Sequence, residues 1–498
     1  MRFHIVGTQE VLISHSGLVL AGALLQATEL KRRLDRVKLD GAGRPEISHG
    51  DNVLAMIGLL CTGKSDFEAI NEVADDTSAP SPAADTRSPS IRTVRGEDVT
   101  CAEFFRLALG LGRVPSEPTL RQRLDLLGIH DAASTTPAES RVRTILLEES
   151  AQMVRRHAPK LTACFKDWIP LDSDVSPFDN SHTRKEHVSY TYKGMDGYAP
   201  NFAYLGQEGY MINCELRPGS QHCQCGTPAF LDQTLKLARR ITQAQLLVRM
   251  DAGNDDIENV RVLRQKGHGP VDWIIKRNLR KESPAEWFEE ACAHGDSVDC
   301  RPGKEVWIGD AWRERENKLE RVVVEAIRRT TTGDGQALLV PELEINTFWT
   351  SLKPSKVNAR QVVELYHDHG TSEQFHSEFK TDMDIERLPS GKFATNALVL
   401  ECGLVAYNAL RLCGQESLRQ DKKMPADQKM PIRKRVQRRR LRSVIQDMIY
   451  MACRLVRHSR RWLLALWKNN SWRPVWERVY DRFLTGGRHG LIPLPLSG

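Results

Sequence analysis

A chain of 498 residues with 40% hydrophobic and 27% charged side chains has room for two to four domains at roughly 100–200 residues each, and this composition excludes a disordered or fibrous protein. Its 71 Lys and Arg exceed its 64 Asp and Glu by seven, but residues 421–498 hold 19 basic against 5 acidic side chains, a net of +14 that leaves residues 1–420 at −7. The expectation is a mildly acidic body that ends in a strongly basic region, so the overall charge of +7 describes neither part.

Residues 10–75 alternate apolar helical patterns with short polar breaks. The early apolar stretch at 17–27 is too short to cross about 30 Å of hydrocarbon. Residues 58–65 match the phosphate-loop pattern G-x-x-x-x-G-K-[ST], yet the middle is Leu-Leu-Cys, with no glycine to open a loop. Val53, Ile57, Leu60 and Cys61 fit a helical stripe ending at Gly63, so the match reads as a helix end and no nucleotide cofactor is expected. A Ser/Pro/Ala-rich stretch at 76–90 reads as a loop or insertion. Residues 100–165 return to helical spacing, with Ser116 as a cap and Leu120, Leu124 and Leu127 on one face. Residues 1–165 are expected to form a mainly helical, DNA-binding domain.

From Trp168 the pattern becomes α/β. Strands are expected at 168–176, 187–193, 210–216 and 245–250, with a helix at 227–241. Several short strands at 300–350 suggest a β-rich insertion spanning about 255–350. Helices resume near Val357 and run to Cys413. The apolar segment 393–413 is long enough to cross a membrane, but Asn396, Glu401, Asn408 and Arg411 make it a buried core helix, and no membrane partner is expected.

Residues 421–442 hold ten basic and two acidic side chains. A block of like charge repels itself and seeks a polyanion, and the guanidinium fork matches phosphate. Arg433, Lys434, Arg435, Arg438, Arg439 and Arg440 are the candidate DNA contacts. The following segment, 444–467, interleaves Arg454, Arg457, Arg460 and Arg461 with apolar residues and reads as a basic amphipathic helix within a helical region at 416–498. Trimming 421–498 is expected to cost DNA affinity without touching any chemistry in the acidic body. Eleven irregularly spaced cysteines fit a reducing cytoplasm, and His222-Cys223-Gln224-Cys225 has no second pair to complete a zinc site.

The chemistry-bearing residues are acids. In residues 168–176 the apolar run stops at Asp172-Ser-Asp174, and strand alternation puts both carboxylates on one face. Asp251 ends the apolar run 245–250 and is followed by Ala-Gly. Carboxylates at strand ends are the hard oxygen ligands Mg²⁺ prefers, although each alone is more often a turn residue. Further on, Tyr366, His369 and Lys380 fall at about +20°, −40° and −20° from Glu373 on a helix at 100° per residue, while Phe375 and Phe379 fall on the reverse face. A break at Gly370-Thr371 would remove Tyr366 and His369 from that stripe.

These residues resemble the DDE-type insertion-sequence transposases, within them the insertion-sequence-4-like group and its 1380 branch. The group's signature of Tyr, Arg, Glu and Lys is matched in spacing by Tyr366, His369, Glu373 and Lys380, with His in place of Arg. The resemblance selects Asp174, followed by Val-Ser, as the first acid, with Asp172 as the alternative, and Asp251 as the second. It implies an α/β fold: an RNase H-like catalytic core at 166–415 with a mainly β insertion, flanked by the N-terminal helical domain and the basic C-terminal helical region. It implies that Asp174, Asp251 and Glu373 are catalytic, holding two Mg²⁺ or Mn²⁺ ions that drive cleavage at terminal inverted repeats and strand transfer into target DNA. It further implies that Lys380 binds a phosphate, that Tyr366 positions the same strand, and that a neutral His369 would weaken the arginine's contact. Trp307 and Trp312 in the insertion are candidates for stacking a flipped base, beside their reading as core tryptophans. The expected partner is double-stranded DNA, bound by a homodimer in the synaptic complex, in a bacterial cytoplasm at the nucleoid. The alternatives are an inactive DNA-binding relative and an RNase H-like nuclease that does not join strands.

Overall fold

The apolar run around Asp172 and Asp174 forms strand β1 (Ile169–Val175), third from one edge of a nine-stranded sheet. The computed structural model describes residues 11–39, 45–74, 97–133, 141–158, 161–332, 334–419, 431–432, 436–459 and 461–486. The insertion expected at 76–90 and the candidate DNA contacts Arg433, Lys434 and Arg435 lie outside them. On one side of β1, β2 (Asn201–Leu205) and β3 (Tyr210–Glu215) follow as an antiparallel meander. On the other side, β4 (Leu246–Met250) and β5 (Val271–Lys276) run parallel to it. All five residues of β4 are buried, as expected of a parallel strand covered on both faces. The helix Thr227–Ile241, expected at these bounds, carries the chain from β3 across to β4.

The β-rich insertion is not a set of short strands but an extension of the same sheet. Strands β6 (Gly295–Arg301), β7 (Lys304–Arg315), β8 (Lys318–Thr331) and β9 (Ala337–Thr350) are antiparallel, and β9 closes against β5 through Phe348, Trp349 and Thr350. Glu316 and Asn317 both take positive φ, 49° and 58°, at the two-residue loop between β7 and β8. Such a turn matches the strands' right-handed twist and lets the pair run long. Trp307 packs against the cluster of Trp287, Ala311 and Trp349, whereas Trp312 is largely exposed.

The segment expected as a core helix is Phe393–Leu418, buried nearly all round. It packs among His49–Cys61, Glu117–Ala132 and Arg141–His157. His49–Cys61 runs straight through Gly58 and is followed by Gly63 at φ 76°, so the phosphate-loop match is a helix end. Ser116 caps Glu117–Ala132, and Leu120, Leu124 and Leu127 are buried. One apolar cluster joins these helices to Leu441, Val444, Met448, Val475, Trp476 and Phe483 from the basic end.

The amphipathic helix expected at 444–467 is corrected. After a short helix, Leu441–Val444, and a π turn, Ile445–Ile449, the chain forms a hairpin of two strands, Cys453–His458 and Arg461–Leu466, the first of which also pairs with Glu97–Asp98. The cause is the hairpin ladder: Cys453–His458 pairs residue for residue with Arg461–Leu466 across a turn at Ser459, φ 48°, and buries Cys453, Leu455 and Val456 while Arg454 and Arg457 stay outside.

Candidate active site

The parallel register of β1 and β4 pairs Ser173 with Met250, so Asp174 and Asp251 come next on adjacent strands at the same edge. Asp251 starts the 3-10 turn Ala252–Asn254, and Asn254 Nδ2–H donates to its Oδ1 at 2.6 Å. Burial, and then the Asp174 charge, push its carboxyl up to about 6. Asp174 accepts the Val175 N–H at 2.8 Å and lies 3.4 Å from His376 Nε2. Burial pushes its carboxyl up too, but His376 outweighs this and holds it below the ordinary range.

Asp172 shares the face of Asp174 but has a different role. Arg249 Nε and Nη2 donate to its two oxygens at 2.6 and 2.8 Å, and His369 Nδ1 lies 3.0 Å away. Burial disfavours its charge, yet Arg249 and His369 hold the carboxyl down at about 2. Its oxygens are occupied, so the alternative assignment of Asp172 as the first metal ligand is corrected: it is one half of a buried ion pair. Arg249 also donates to Leu365 O at 2.7 Å and lies 3.1 Å from Asp368 Oδ2. The pair therefore braces β1, β4 and the helix carrying the remaining site residues.

That helix does not break at glycine. Ala359–His367 opens with a capping box at Asn358 and Gln361. It continues through a 3-10 turn, Asp368–Gly370, into Thr371–Ser377 and a π turn, Glu378–Asp382. Gly370 keeps right-handed helical angles, and Thr371 Oγ1 donates back to Asp368 O at 2.6 Å instead of capping a new helix. Tyr366, His369, Glu373 and Lys380 therefore stay together and line one cavity of about 870 Å³ with Asp174 and Asp251. Phe375 and Phe379 are buried on the reverse face.

Around this cavity burial raises the Tyr366 phenol, with Asp251 and Asp174 adding to it, so it remains a donor. Burial opposes a proton on His369, but Asp172 outweighs burial and raises its pKa. The imidazole is thereby drawn toward the cationic form, restoring part of the charge an arginine would carry. Lys380 Nζ donates to Pro177 O and lies 5.4 Å above the Phe178 ring. Glu373 is exposed at the rim, and among the described residues no three His, Cys, Asp or Glu side chains are grouped to hold a metal ion.

Three of the expected DNA contacts are engaged within the protein. Arg438 pairs with Glu378, donates to Gln374 Oε1 at 3.0 Å and lies 4.6 Å over the Phe375 ring. Arg439 is buried 4.1 Å from the Trp472 ring and pairs with Asp447, which corrects its assignment as a DNA contact. Arg440 pairs with Asp382 at 2.9 Å. Glu378 also accepts from Arg411 at 2.6 Å and from the Leu441 N–H at 3.0 Å. The basic end is thus clasped to the back of the helix that carries Glu373.

Sequence reasoning missed Arg249, His376, Tyr192 and Lys193, the last three of which line the cavity. Only Arg249 left a readable signal: an arginine inside an apolar strand requires a buried carboxylate in register.

A family model for the transposase DDE domain, group 1, matches residues 4–485. No curated protein matches the chain. Among solved structures, a cryo-EM structure of the piggyBac transposase synaptic complex with hairpin DNA aligns at 12% identity over 80% of this chain and 75% of that chain, with a TM-score of 0.37. The family match runs through both aspartates of the cavity and the helix of Glu373, and across nearly the whole chain: this protein belongs to the transposase DDE domain family, group 1.

Proposed function

We propose that this protein is an insertion-sequence transposase that cuts DNA at terminal inverted repeats and joins the freed end to target DNA. The observation that carries the reading is the pair Asp174 and Asp251 at one edge of two adjacent parallel strands, with Glu373 on the rim of the same cavity. The strand order supports an RNase H-like core: an antiparallel meander on one side of β1 and two parallel strands on the other. The spacing of Tyr366, His369, Glu373 and Lys380 supports the insertion-sequence-4-like group and its 1380 branch.

The donor set fits hard divalent cations. The raised Asp251 carboxyl reflects burial and repulsion by Asp174, a cost that a bound cation relieves, while Glu373 stands off and has to turn inward. Asp174, Asp251 and Glu373 would hold two Mg²⁺ or Mn²⁺ ions, which when bound supply activation of the attacking oxygen and stabilisation of the leaving oxygen. The remaining work falls to the chain's own residues. Lys380 offers its ammonium to a backbone phosphate, Tyr366 donates its hydroxyl to the same strand, and His369, drawn toward its cationic form by Asp172 3.0 Å from its Nδ1, takes the arginine's place. The Arg249–Asp172 pair keeps β1, β4 and the helix in register while DNA is bound. Two ends synapsed together would require a homodimer on DNA.

The test is nicking and joining, in Mg²⁺, of DNA carrying the inverted repeats that flank the reading frame. Asp174→Ala, Asp251→Ala and Glu373→Ala are each expected to cut nicking by roughly 10³-fold or more, the equivalent of several kcal/mol of transition-state stabilisation, with DNA binding retained. Full activity in Asp174→Ala refutes the site. Binding without nicking by the wild type leaves a DNA-binding protein, and nicking without joining leaves a nuclease.

A further inference from the structure

Beside the acids, the same cavity is bordered by a turn that carries Tyr192 and Lys193. After the short strand Ser189–Tyr190 the Gly194 N–H donates to Thr191 O at 3.0 Å, closing a β-turn whose two central residues are Tyr192 and Lys193. The Thr191 N–H donates to Met195 O at 2.9 Å, as does its hydroxyl, and Gly194 takes φ 81°. A tight turn followed by a left-handed glycine is a rigid way to end a hairpin. Its base is fixed as well: Ser189 pairs with Gly197, and Ser189 Oγ accepts the Ser220 N–H at 2.8 Å.

Both central side chains reach the cavity. The Tyr192 hydroxyl donates to Val175 O at 3.1 Å, on the strand that carries Asp174, although the residue is 69% exposed. Its ring is therefore held at one end and open to solvent along its face. Lys193 is exposed and pairs with no carboxylate among the described residues. Lys380 lines the same cavity and sits half-buried, its pKa lowered by burial and further by Lys193, against the pull of Glu386 and Asp174. Two ammonium groups that repel each other in one cleft, beside acids that repel each other, form an arrangement that a phosphodiester and divalent cations together would neutralise.

We propose that the Thr191–Gly194 turn is a second DNA-strand clamp, in which Lys193 binds a backbone phosphate opposite Lys380 and the Tyr192 ring stacks on the adjoining sugar or base. This rests on the reading of the cavity as a DNA-cleavage site. The lysines hold the strand from two sides, and the tyrosine ties the clamp to the backbone of β1, so the strand's position is referred to Asp174 itself.

The test uses the full chain and a labelled duplex carrying the flanking inverted repeat, with binding read by anisotropy in Ca²⁺ and nicking read in Mg²⁺. Lys193→Ala is expected to raise Kd roughly 3- to 10-fold and to reduce the slope of log Kd against log salt by about 1, without lowering the melting temperature. Lys193→Arg restores both, and Tyr192→Ala weakens binding roughly tenfold through lost stacking. An unchanged Kd and salt slope in Lys193→Ala overturns the clamp even if the wild type nicks. Absence of nicking by the wild type defeats the cleavage reading instead, while the salt slope still decides the clamp.

Discussion

Two charged regions lie on opposite faces of one helix, and the protein handles them in opposite ways. On the cavity side Asp174 and Asp251 are close, largely enclosed and without a basic ion-pair partner other than His376, and Asp251 holds its proton up to about 6 as a result. On the reverse side Glu378 is buried against Arg411 and Arg438, and Arg439 against Asp447. Charges paired on every side hold a fold in place. Charges left short of partners are stored for something that arrives later, which is why perturbed carboxylates gather at functional sites.

The basic end belongs to the paired region. Charge arithmetic alone makes residues 421–498 a detachable DNA arm, yet Leu441, Val444, Met448, Ile449, Val475, Trp476, Val479 and Phe483 are all buried. Each such side chain contributes about 1.5–3 kcal/mol, and together they match or exceed the roughly 5–15 kcal/mol by which a domain is stable. Removal of 421–498 is therefore expected to unfold the body, read as loss of a cooperative thermal transition. A truncated chain that melts within a few degrees of the full one would show that the two regions are separable after all. Substituting Arg433, Lys434 and Arg435 together tests the DNA role of the basic run without disturbing the described core.

Asp172 and Asp174 supply the next sharpest contrast, since they differ by one turn of strand alternation and not in type. Asp172→Asn leaves Arg249 buried without its counter-charge and is expected to cost about 3–5 kcal/mol of stability, measured by urea unfolding. Asp174→Asn is expected to cost little stability while abolishing nicking. If both substitutions leave stability unchanged, the brace is not carrying the helix.

Asp251 titrates in a direction that distinguishes it from a paired acid. Its folded pKa, about 6, lies above the ordinary carboxylate value, so the folded state binds the proton more tightly than the unfolded state does. Stability attributable to this group falls as pH rises from about 4 to about 6 and stays lower above that, by about 2 kcal/mol after allowing for solvent at the cavity mouth. Urea midpoints for wild type and Asp251→Asn should therefore diverge at low pH, where only the wild type gains, and Mg²⁺ should raise the wild type alone at neutral pH. Parallel pH profiles would show that Asp251 is compensated by something else.

Much of this was legible in the sequence because it follows local periodicity. The acid positions on β1 and after β4, the stripe from Tyr366 to Lys380 and the buried helix Phe393–Leu418 all come from spacings of 2 or 3.6 residues and hold in the fold. What was not legible depends on register between distant segments. Nothing local told Asp172 from Asp174, because the choice is made by Arg249, which lies opposite only once β1 and β4 pair. Gly370 read as a possible break because glycine is a weak helix former, and packing of Phe375 and Phe379 overrides that preference. The strands Cys453–His458 and Arg461–Leu466 were missed because arginines spaced through apolar residues satisfy either period, and Glu97–Asp98, which pairs with the first of them, is more than 350 residues away in the chain.

The smallest effect tests where the two regions meet. Arg440 is exposed in its side chain to 52%, yet its partner Asp382 is buried, and Asp382 keeps the Arg442 N–H at 3.1 Å if Arg440 is removed. A pair exposed on one side is worth about 1 kcal/mol or less, so Arg440→Ala should lower stability by no more than that and leave the DNA salt slope untouched. A residue serving the DNA arm would do the reverse, leaving stability unchanged and reducing the slope by about 1. The two measurements on one variant decide whether Arg440 belongs with its buried neighbour Arg439, as part of the clasp behind Glu373, or with the basic run that precedes it.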